Sequence, residues 1–215
     1  MLRIVVFSIC ALFISSAEAA KFKRLPASHG NGVPVAYIEL EGPIEPGDVE
    51  RLDKLIRNED YDVLLSLNSN GGDFQTGIAL AKYINTKPVA TTVKGGNQCL
   101  SACAIAFLGG TSWEDEHSEW PSRSIEQTAK VGFHAPFLEI AGGQYDAERV
   151  TRAYDRAIRT IVQTIRAAPY MQVAAEDVAA LMVAQREELF VLDTAERLAR
   201  YGVHPAGLKM PQRFT

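Results

Sequence analysis

The sequence predicts an α/β fold with a largely parallel sheet. Short apolar runs that suit buried strands alternate with longer segments whose apolar residues recur at helical spacing. Hydrophobic residues make up 47% of the 215 residues and charged residues 22%, proportions that are typical of a globular protein and exclude a disordered or fibrous chain. No linker and no repeat of fixed period divides the sequence, so we expect one domain over residues 35–215.

Residues 1–19 have the features of a cleaved export signal. Arg3 supplies a positive charge, and residues 4–14 are almost wholly apolar. Ala17 and Ala19 then provide the small residues that precede a cleavage site. The apolar stretch is too short to span a bilayer as a helix, and the two alanines disfavour an uncleaved anchor. We therefore expect a protein of the bacterial periplasm, or a secreted one.

A polar lead-in over residues 20–34 precedes the predicted strands and helices. Apolar and β-branched runs predict strands at residues 35–40, 63–67, 88–93, 130–134 and 190–192. Apolar residues at helical spacing predict helices at residues 48–58, 74–84, 100–108, 145–168, 176–186 and 194–201. Residues 111–128, which contain two tryptophans and several acidic residues, are expected to form a polar loop.

The longest predicted helix, over residues 145–168, is amphipathic. Its apolar stripe, which we expect to face the core, consists of Val150, Tyr154, Ile158, Ile161 and Ile165. Oppositely charged residues at i,i+4 spacing mark the face expected to be solvated. They are Glu148 with Arg152 and Asp155 with Arg159.

Charge and cysteine content exclude several classes of site. With 22 basic and 26 acidic residues the net charge is -4, so the chain has no positive field that would gather nucleic acid. Only Cys99 and Cys103 follow the signal segment, too few for a structural zinc site, and no metal is expected. An oxidising compartment permits a disulfide between them, and a spacing of four is easier to bridge where a helix begins than inside it.

Three segments carry residues suited to acyl transfer. Gly71 and Gly72 follow a buried strand, and paired glycines let backbone N–H groups approach another group. Ser101 opens an apolar helix, and His134 ends an apolar strand. Taken singly, each segment has a simpler structural explanation as a turn, a helix N-cap and a satisfied core histidine. A parallel sheet gathers strand ends at one edge, however, and serine, histidine and backbone donors are the minimum set for acyl transfer.

The same segments make the chain similar to ClpP-type serine peptidases of the ClpP/crotonase superfamily, from residue 37 to residue 203. Five motifs carry the resemblance, namely IELEGPI at 38–44, LNSNGGD at 67–73, SACA at 101–104, GFHAP at 132–136 and the segment at 192–203 that begins LDTAE. The resemblance implies a ClpP/crotonase-like spiral of β-β-α units in a single domain.

By this resemblance Ser101 is the nucleophile and His134 its general base. The N–H groups of Gly72 and Ala102 form the oxyanion hole, and no cofactor is implied. The implied substrate is a peptide or an unfolded polypeptide, not nucleic acid. An exported protein has no ATP supply, so no AAA+ unfoldase is expected as a partner. The family assembles into rings or trimers, which allows a homo-oligomer of a size that the sequence does not fix.

The chain departs from the family pattern at the third catalytic residue. The family places an acid after the long helix, whereas residues 186–191 hold no aspartate. Either Glu187 or Glu188 orients the histidine, or the site is a dyad. Asp193 is more simply explained as the N-cap of a capping box with Glu196.

The interval between the serine and the histidine is a second departure, because it is longer than is usual in ClpP. The excess lies in residues 111–128. Trp113 and Trp120 in this segment either form an apolar wall over the site or pack beneath a surface loop.

Other functions fit parts of the pattern. A signal-peptide-peptidase-like enzyme uses a lysine base, for which Lys82, Lys87 and Lys94 are the candidates. A non-catalytic scaffold that binds a peptide in the cleft would explain the missing acid, whereas retention of Ser101 and His134 favours the enzyme. An acyl-CoA enzyme is disfavoured, because coenzyme A is scarce outside the cytoplasm.

Overall fold

The computed structural model describes residues 20–30, 33–57, 62–115, 118–137, 143–185 and 187–207. The predicted export signal at residues 1–19 lies outside the described residues. Within the described ranges, no helix is both long enough and apolar enough to cross a membrane.

The described residues form eleven strands and seven helices. The strands are β1 (Lys21–Gly30), β2 (Val33–Glu41), β3 (Asp62–Asn68), β4 (Val89–Val93), β5 (Gln98–Leu100), β6 (Thr111–Asp115), β7 (Ser118–Pro121), β8 (Arg123–Glu126), β9 (Lys130–Phe133), β10 (Phe190–Val191) and β11 (Val203–Ala206). The helices are α1 (Asp48–Asp53), α2 (Phe74–Thr86), α3 (Ala102–Phe107), α4 (Ala147–Arg166), α5 (Ala168–Met171), α6 (Ala175–Leu181) and α7 (Ala195–Arg200).

Six strands form a central mixed sheet in the order β1-β2-β3-β4-β8-β11. Strand β1 lies antiparallel to β2, and each of the other neighbouring pairs is parallel. Most apolar residues of β3 and β4 are buried, whereas Leu64 and Ala90 are half-buried, as expected for parallel strands that are largely covered on both faces. The predicted α/β class with much parallel pairing is therefore confirmed.

A second, smaller layer of strands has the order β10-β9-β5. Strands β5 and β9 are parallel, whereas β10 is antiparallel to β9. Isolated parallel bridges join Ser69 to Cys99 and Ile44 to Gly72. The chain segments that follow β2 and β3 therefore line up beside β5, at the edge where the candidate site lies.

Helices α2 and α3 pack against each other with almost no side-chain spacing. A Cβ atom added at Gly77 of α2 would lie 2.5 Å from the carbonyl oxygen of Ala102. One added at Gly109, just after α3, would lie 2.4 Å from the carbonyl oxygen of Ala81. Only glycine permits this approach, and α3 is held directly on α2 as a result.

The lead-in expected over residues 20–34 forms a strand instead, and β1 is the outer edge of the central sheet. Phe22 and Leu25 are half-buried, whereas Lys21 and Lys23 are exposed. An edge strand with one solvated face carries few apolar residues, so its sequence resembles a tail.

The prediction of a polar loop over residues 111–128 is wrong. Strands β6 and β7 form an antiparallel hairpin, and β8 lies inside the central sheet between β4 and β11. Strand β8 has only four residues, and one of its buried side chains is Arg123, so an apolar pattern could not reveal it.

Arg123 is satisfied by backbone carbonyl groups rather than by a carboxylate. Its guanidinium donates to the carbonyl oxygens of Gly110 (3.1 Å), Tyr201 (2.7 Å) and Met171. Burial lowers the pKa of Arg123 to about 9, so the side chain remains charged at neutral pH. One side chain thus joins the start of the hairpin to the ends of α5 and α7.

The apolar stripe predicted to face the core on the long helix does not do so over its first half. Val150, Tyr154 and Ile158 of α4 are 54%, 65% and 43% exposed, and the buried residues of this helix are Thr160 and Thr164. The threonines can face inward because their hydroxyl groups donate to carbonyl groups one turn earlier in α4. Helical spacing shows which residues share one face of α4, but it does not show which face packs against the rest of the protein.

The helix cap predicted at Asp193 lies one residue further along the chain. Thr194 is the N-cap of α7, and its hydroxyl oxygen accepts from the N–H of Arg197 at 3.2 Å. Asp193 instead accepts from the guanidinium of Arg197 at 2.9 Å. Both residues are good caps, and the sequence alone did not distinguish them.

Candidate active site

The glycine turn after β3 brings the backbone directly against the candidate nucleophile. Gly71 and Gly72 have φ values of 101° and 146°, and a Cβ atom at Gly71 would lie 2.7 Å from the Cβ of Ser101. The turn is fixed on its other side by Ile44, whose N–H donates to the carbonyl of Gly71 at 2.9 Å. Asp73 ends the turn and caps α2 by accepting from the N–H of Thr76 at 2.7 Å.

Ser101 lies in a strained turn between β5 and α3. Its backbone has φ 56° and ψ -122°, a region that costs a residue with a side chain about 1–3 kcal/mol. The N–H of Ser101 donates to the carbonyl of Gly132 at 2.9 Å. Ser101 occupies the N-cap position of α3, but its hydroxyl makes no capping hydrogen bond, so the structural explanation of this serine as a cap is wrong. A sharp strand-to-helix turn is also how α/β-hydrolases present a nucleophilic serine.

A disulfide brackets this turn. Cys99 and Cys103 are joined, with their Cα atoms 5.1 Å apart. Both cysteines are fully buried. Cys99 is in β5 and Cys103 is in the first turn of α3. The disulfide therefore closes a short loop that contains Leu100, Ser101 and Ala102.

His134 follows β9 and is oriented by the backbone. Its Nδ1 lies 2.7 Å from the carbonyl oxygen of Ala135. A carbonyl can only accept, so Nδ1 carries the proton and Nε2 is left as the basic nitrogen. The N–H of Ala135 donates to the carbonyl of Ala184 at 2.9 Å. The ring of Phe137 packs against the imidazole, with 5.1 Å between the two ring centroids. Within the described part of the chain, no carboxylate is hydrogen-bonded to His134.

Ser101, His134 and Gly72 line one cavity of about 620 Å³. The two side chains are nearly buried and share this cavity, although no hydrogen bond joins the Ser101 hydroxyl to the imidazole. The N–H groups of Gly72 and Ala102 donate no hydrogen bond to any of the described residues; Gly72 lines the cavity, whereas Ala102 is fully buried and is not among the lining residues. The structure thus brings together a serine, a histidine and two unbonded amides, which is the inventory that acyl transfer requires.

The other residues considered from the sequence lie outside this cavity. Glu187 and Glu188 are exposed and line no part of it, although Leu189 beside them does. The lysines are also elsewhere, with Lys82 over the ring of Tyr170 and Lys94 hydrogen-bonded to Glu39 at 2.7 Å. Lys87 is absent from the cavity lining as well.

The two tryptophans do not form a wall over the site. Trp113 and Trp120 lie on the β6–β7 hairpin, are 45% and 41% exposed, and do not line the cavity. They are not packed beneath a loop either. Both explanations offered for them are therefore wrong.

The sequence pattern did not predict one wall of the cavity. It is formed by α4, through Arg156, Ala157 and Thr160. Thr160 accepts from the side-chain amide of Gln75 at 2.9 Å, which ties this wall to the start of α2. The i and i+4 spacing of Arg156 and Thr160 was the available signal, but it becomes meaningful only once the packed side of α4 is known.

Comparison with known proteins assigns no family to the chain. No protein-family model matches it, and no curated protein matches it.

Proposed function

We propose that this protein is a serine hydrolase that cleaves peptide bonds by acyl transfer to Ser101. The observation that carries the proposal is the strained turn at Ser101, which opens onto the same cavity as His134 and lies beside the unbonded amides of Gly72 and Ala102. Strain of this kind persists only where the surrounding structure holds it, and it concentrates at functional sites.

The proposed reaction uses the groups in familiar roles. The Ser101 Oγ attacks the carbonyl carbon of the substrate, and its proton passes to Nε2 of His134. The carbonyl electrons move onto the oxygen, which accepts from the N–H groups of Gly72 and Ala102, and one such donor is typically worth about 10²–10³ in rate. The C–N bond then breaks as His134 returns the proton to the leaving nitrogen. Water releases the acyl group by the same steps and restores the serine.

The backbone takes the part of the missing acid in this mechanism. The Ala135 carbonyl holds the Nδ1 proton of His134, so the tautomer that leaves Nε2 basic is selected without a carboxylate. A neutral carbonyl stabilises the imidazolium less than a charged carboxylate does. We therefore expect a slower enzyme than one with a complete triad.

We also propose that the α/β fold is a ClpP/crotonase-like spiral. Its support is the repeated path of the chain, in which a strand of the central sheet leads to a segment of the second layer and then to a helix. The first three turns are β2, Ile44 and α1, then β3, Ser69 and α2, then β4, β5 and α3. A fourth turn consists of β8, β9 and α4.

An exported location is part of the same proposal. The features of residues 1–19 favour it, and so does the Cys99–Cys103 disulfide, because such bonds persist mainly in oxidising compartments. Outside the cytoplasm the substrate would be a short or already unfolded peptide, with no ATP-driven unfoldase to supply it.

A non-catalytic peptide-binding protein is the second candidate. It is favoured by one observation, the lack of a hydrogen bond between the Ser101 hydroxyl and His134 in a cavity where no carboxylate orients the imidazole. A lysine-dependent hydrolase is disfavoured, because no lysine is among the described residues that line the cavity.

A fluorophosphonate probe distinguishes the two candidates, because it forms a covalent bond only with an activated serine. We expect the wild-type protein to be labelled and Ser101→Ala to be unlabelled. Ser124→Ala is the matched control, since Ser124 is bonded to Thr92 away from the cavity and its loss should leave labelling unchanged. His134→Gln should slow labelling by about 10²-fold or more. A folded wild-type protein that resists the probe would refute the hydrolase and favour the binding protein.

A further inference from the structure

Arg156 places a positive charge in the wall of the cavity that faces the catalytic groups. It lies on α4 one turn before Thr160, and Thr160 is anchored to Gln75 of α2. Among the described residues that line the cavity, Arg156 is the one arginine or lysine and Asp73 is the one carboxylate.

No described residue forms an ion pair with Arg156. At the start of α4, the N-cap Asp146 is paired with Arg149 and Glu148 with Arg152. Asp73 is engaged as the cap of α2, where it accepts from both the N–H and the hydroxyl of Thr76.

The rest of the lining is suited to an uncharged body with an anionic end. Six of the fourteen lining residues have apolar side chains, including Phe74, Leu100 and Phe137, and the uncharged amides of Asn70 and Gln75 also line it. A guanidinium presents a planar fork of donors that matches a carboxylate and binds it in a bidentate manner. An arginine that has no ion pair among the described residues and lines a largely uncharged site is therefore a determinant of specificity for an anion.

We propose that Arg156 binds a carboxylate of the substrate, so that the protein prefers peptides with an acidic group close to the bond that is cleaved. This inference rests on the proposed hydrolase function. A cavity of about 620 Å³ is roughly 9 Å across, about the length of two to three extended residues. The carboxylate would therefore lie within two residues of the scissile bond, either as an acidic side chain or as the terminus of the chain.

The expected preference is moderate. Arg156 is exposed at its outer side, so water and salt screen the pair. We expect a peptide with glutamate to be favoured over its glutamine counterpart by about threefold to tenfold at low ionic strength, and the ratio to fall as salt is added.

Two pairs of peptides test this in the full-length protein. The first pair differs by Glu or Gln next to the scissile bond, with both chain ends blocked, and the second pair differs only by a free or an amidated C-terminus. Hydrolysis is measured for wild type, and binding is measured by fluorescence anisotropy with Ser101→Ala, which reads the subsite without catalysis. Arg156→Gln is the test variant. Arg159→Gln is the matched control, because Arg159 is on the same helix but does not line the cavity.

Each result separates the two proposals. Preference for the acidic member of either pair, abolished by Arg156→Gln and kept by Arg159→Gln, supports the subsite, and the pair that responds identifies the source of the carboxylate. Equal binding of both members to Ser101→Ala, a preference that survives Arg156→Gln, or no binding of any peptide overturns it. Labelling of Ser101 without an acidic preference would refute the subsite alone. An acidic preference in binding without any labelling or hydrolysis would refute the hydrolase alone.

Discussion

Replacing Gly71 with alanine should damage both the stability of the protein and the reactivity of Ser101. The new Cβ would lie 2.7 Å from the Cβ of Ser101 and 2.8 Å from the carbonyl oxygen of Leu100. Neither neighbour is the end of a flexible side chain, so the backbone of the turn that holds Ser101 must move. The position of the serine hydroxyl relative to the open amides would move with it.

Two costs contribute to the expected loss of stability. An L residue at φ 101° costs about 1–2 kcal/mol in the left-handed region, and forcing a methyl group into a packed site costs about 1–3 kcal/mol. The sum is about 2–5 kcal/mol. Gly96 is the matched control, because its φ is 82° and a Cβ there would meet nothing within 4 Å. Gly96→Ala should therefore show only the first cost.

Urea denaturation and probe labelling together measure both effects. Gly71→Ala should unfold at a lower midpoint than Gly96→Ala, and at temperatures where both are folded its Ser101 should be labelled at least about tenfold more slowly. Gly96→Ala should be labelled at the wild-type rate. If the two variants are equally stable and equally reactive, the contact between the glycine turn and the nucleophile does not have the role assigned to it.

Three further predictions concern the rest of the molecule. Arg123→Met leaves the buried carbonyl groups of Tyr201 and Met171 without a donor, whereas the carbonyl of Gly110 still accepts from the N–H of Ser122. The substitution should lower the free energy of unfolding by about 2–5 kcal/mol, whereas the exposed Arg200→Met should change it by less than about 1 kcal/mol; equal effects in thermal unfolding would contradict this. Replacing both Cys99 and Cys103 with alanine should lower the free energy of unfolding by about 2 kcal/mol, because the loop is short, and should slow the labelling of Ser101. Alkylation that finds two free thiols in protein purified from the periplasm would show that the bond is absent. Burial and a hydrogen bond raise the pKa of Tyr83 above its ordinary value of 10.0, so above about pH 10 the folded state keeps a proton that the unfolded state loses. The stability should therefore be fully present below about pH 10 and decline above it. Tyr83→Phe should show a shallower decline when urea midpoints at about pH 9 and about pH 11 are compared.

The parts of the fold that could be predicted are those in which one local pattern decides the outcome. Strands β3 and β4 are largely buried, and their apolar and β-branched residues, for example around Leu65 and Val93, already predict strands. Strand β8 could not be found in this way, because the burial of Arg123 depends on carbonyl groups from distant parts of the chain. Likewise, the apolar stripe at Tyr154 was visible in the sequence, but the side of α4 that packs is decided by contacts with other helices.

The candidate site shows the same division. The positions of Ser101, His134 and Gly72 follow from motifs that lie at strand ends, and a parallel sheet gathers such ends at one edge. The orientation of His134 by the Ala135 carbonyl could not be predicted, because a backbone acceptor leaves no mark on the sequence. Arg156 was missed for a related reason, since its part in the cavity depends on how a helix from another region crosses the site.

The close contact of α2 and α3 at Gly77 and Gly109 fixes the backbone that follows Ser101. Neither helix can move without disturbing a place where two backbones touch, so this side of the cavity tolerates little change. On the side of the cavity formed by α4, Thr160 is buried and hydrogen-bonded to Gln75 of α2, whereas Arg156 is exposed and bonded to none of the described residues of α2 or α3. Position 156 can therefore change, in evolution or by design, while the turn at Ser101 stays intact.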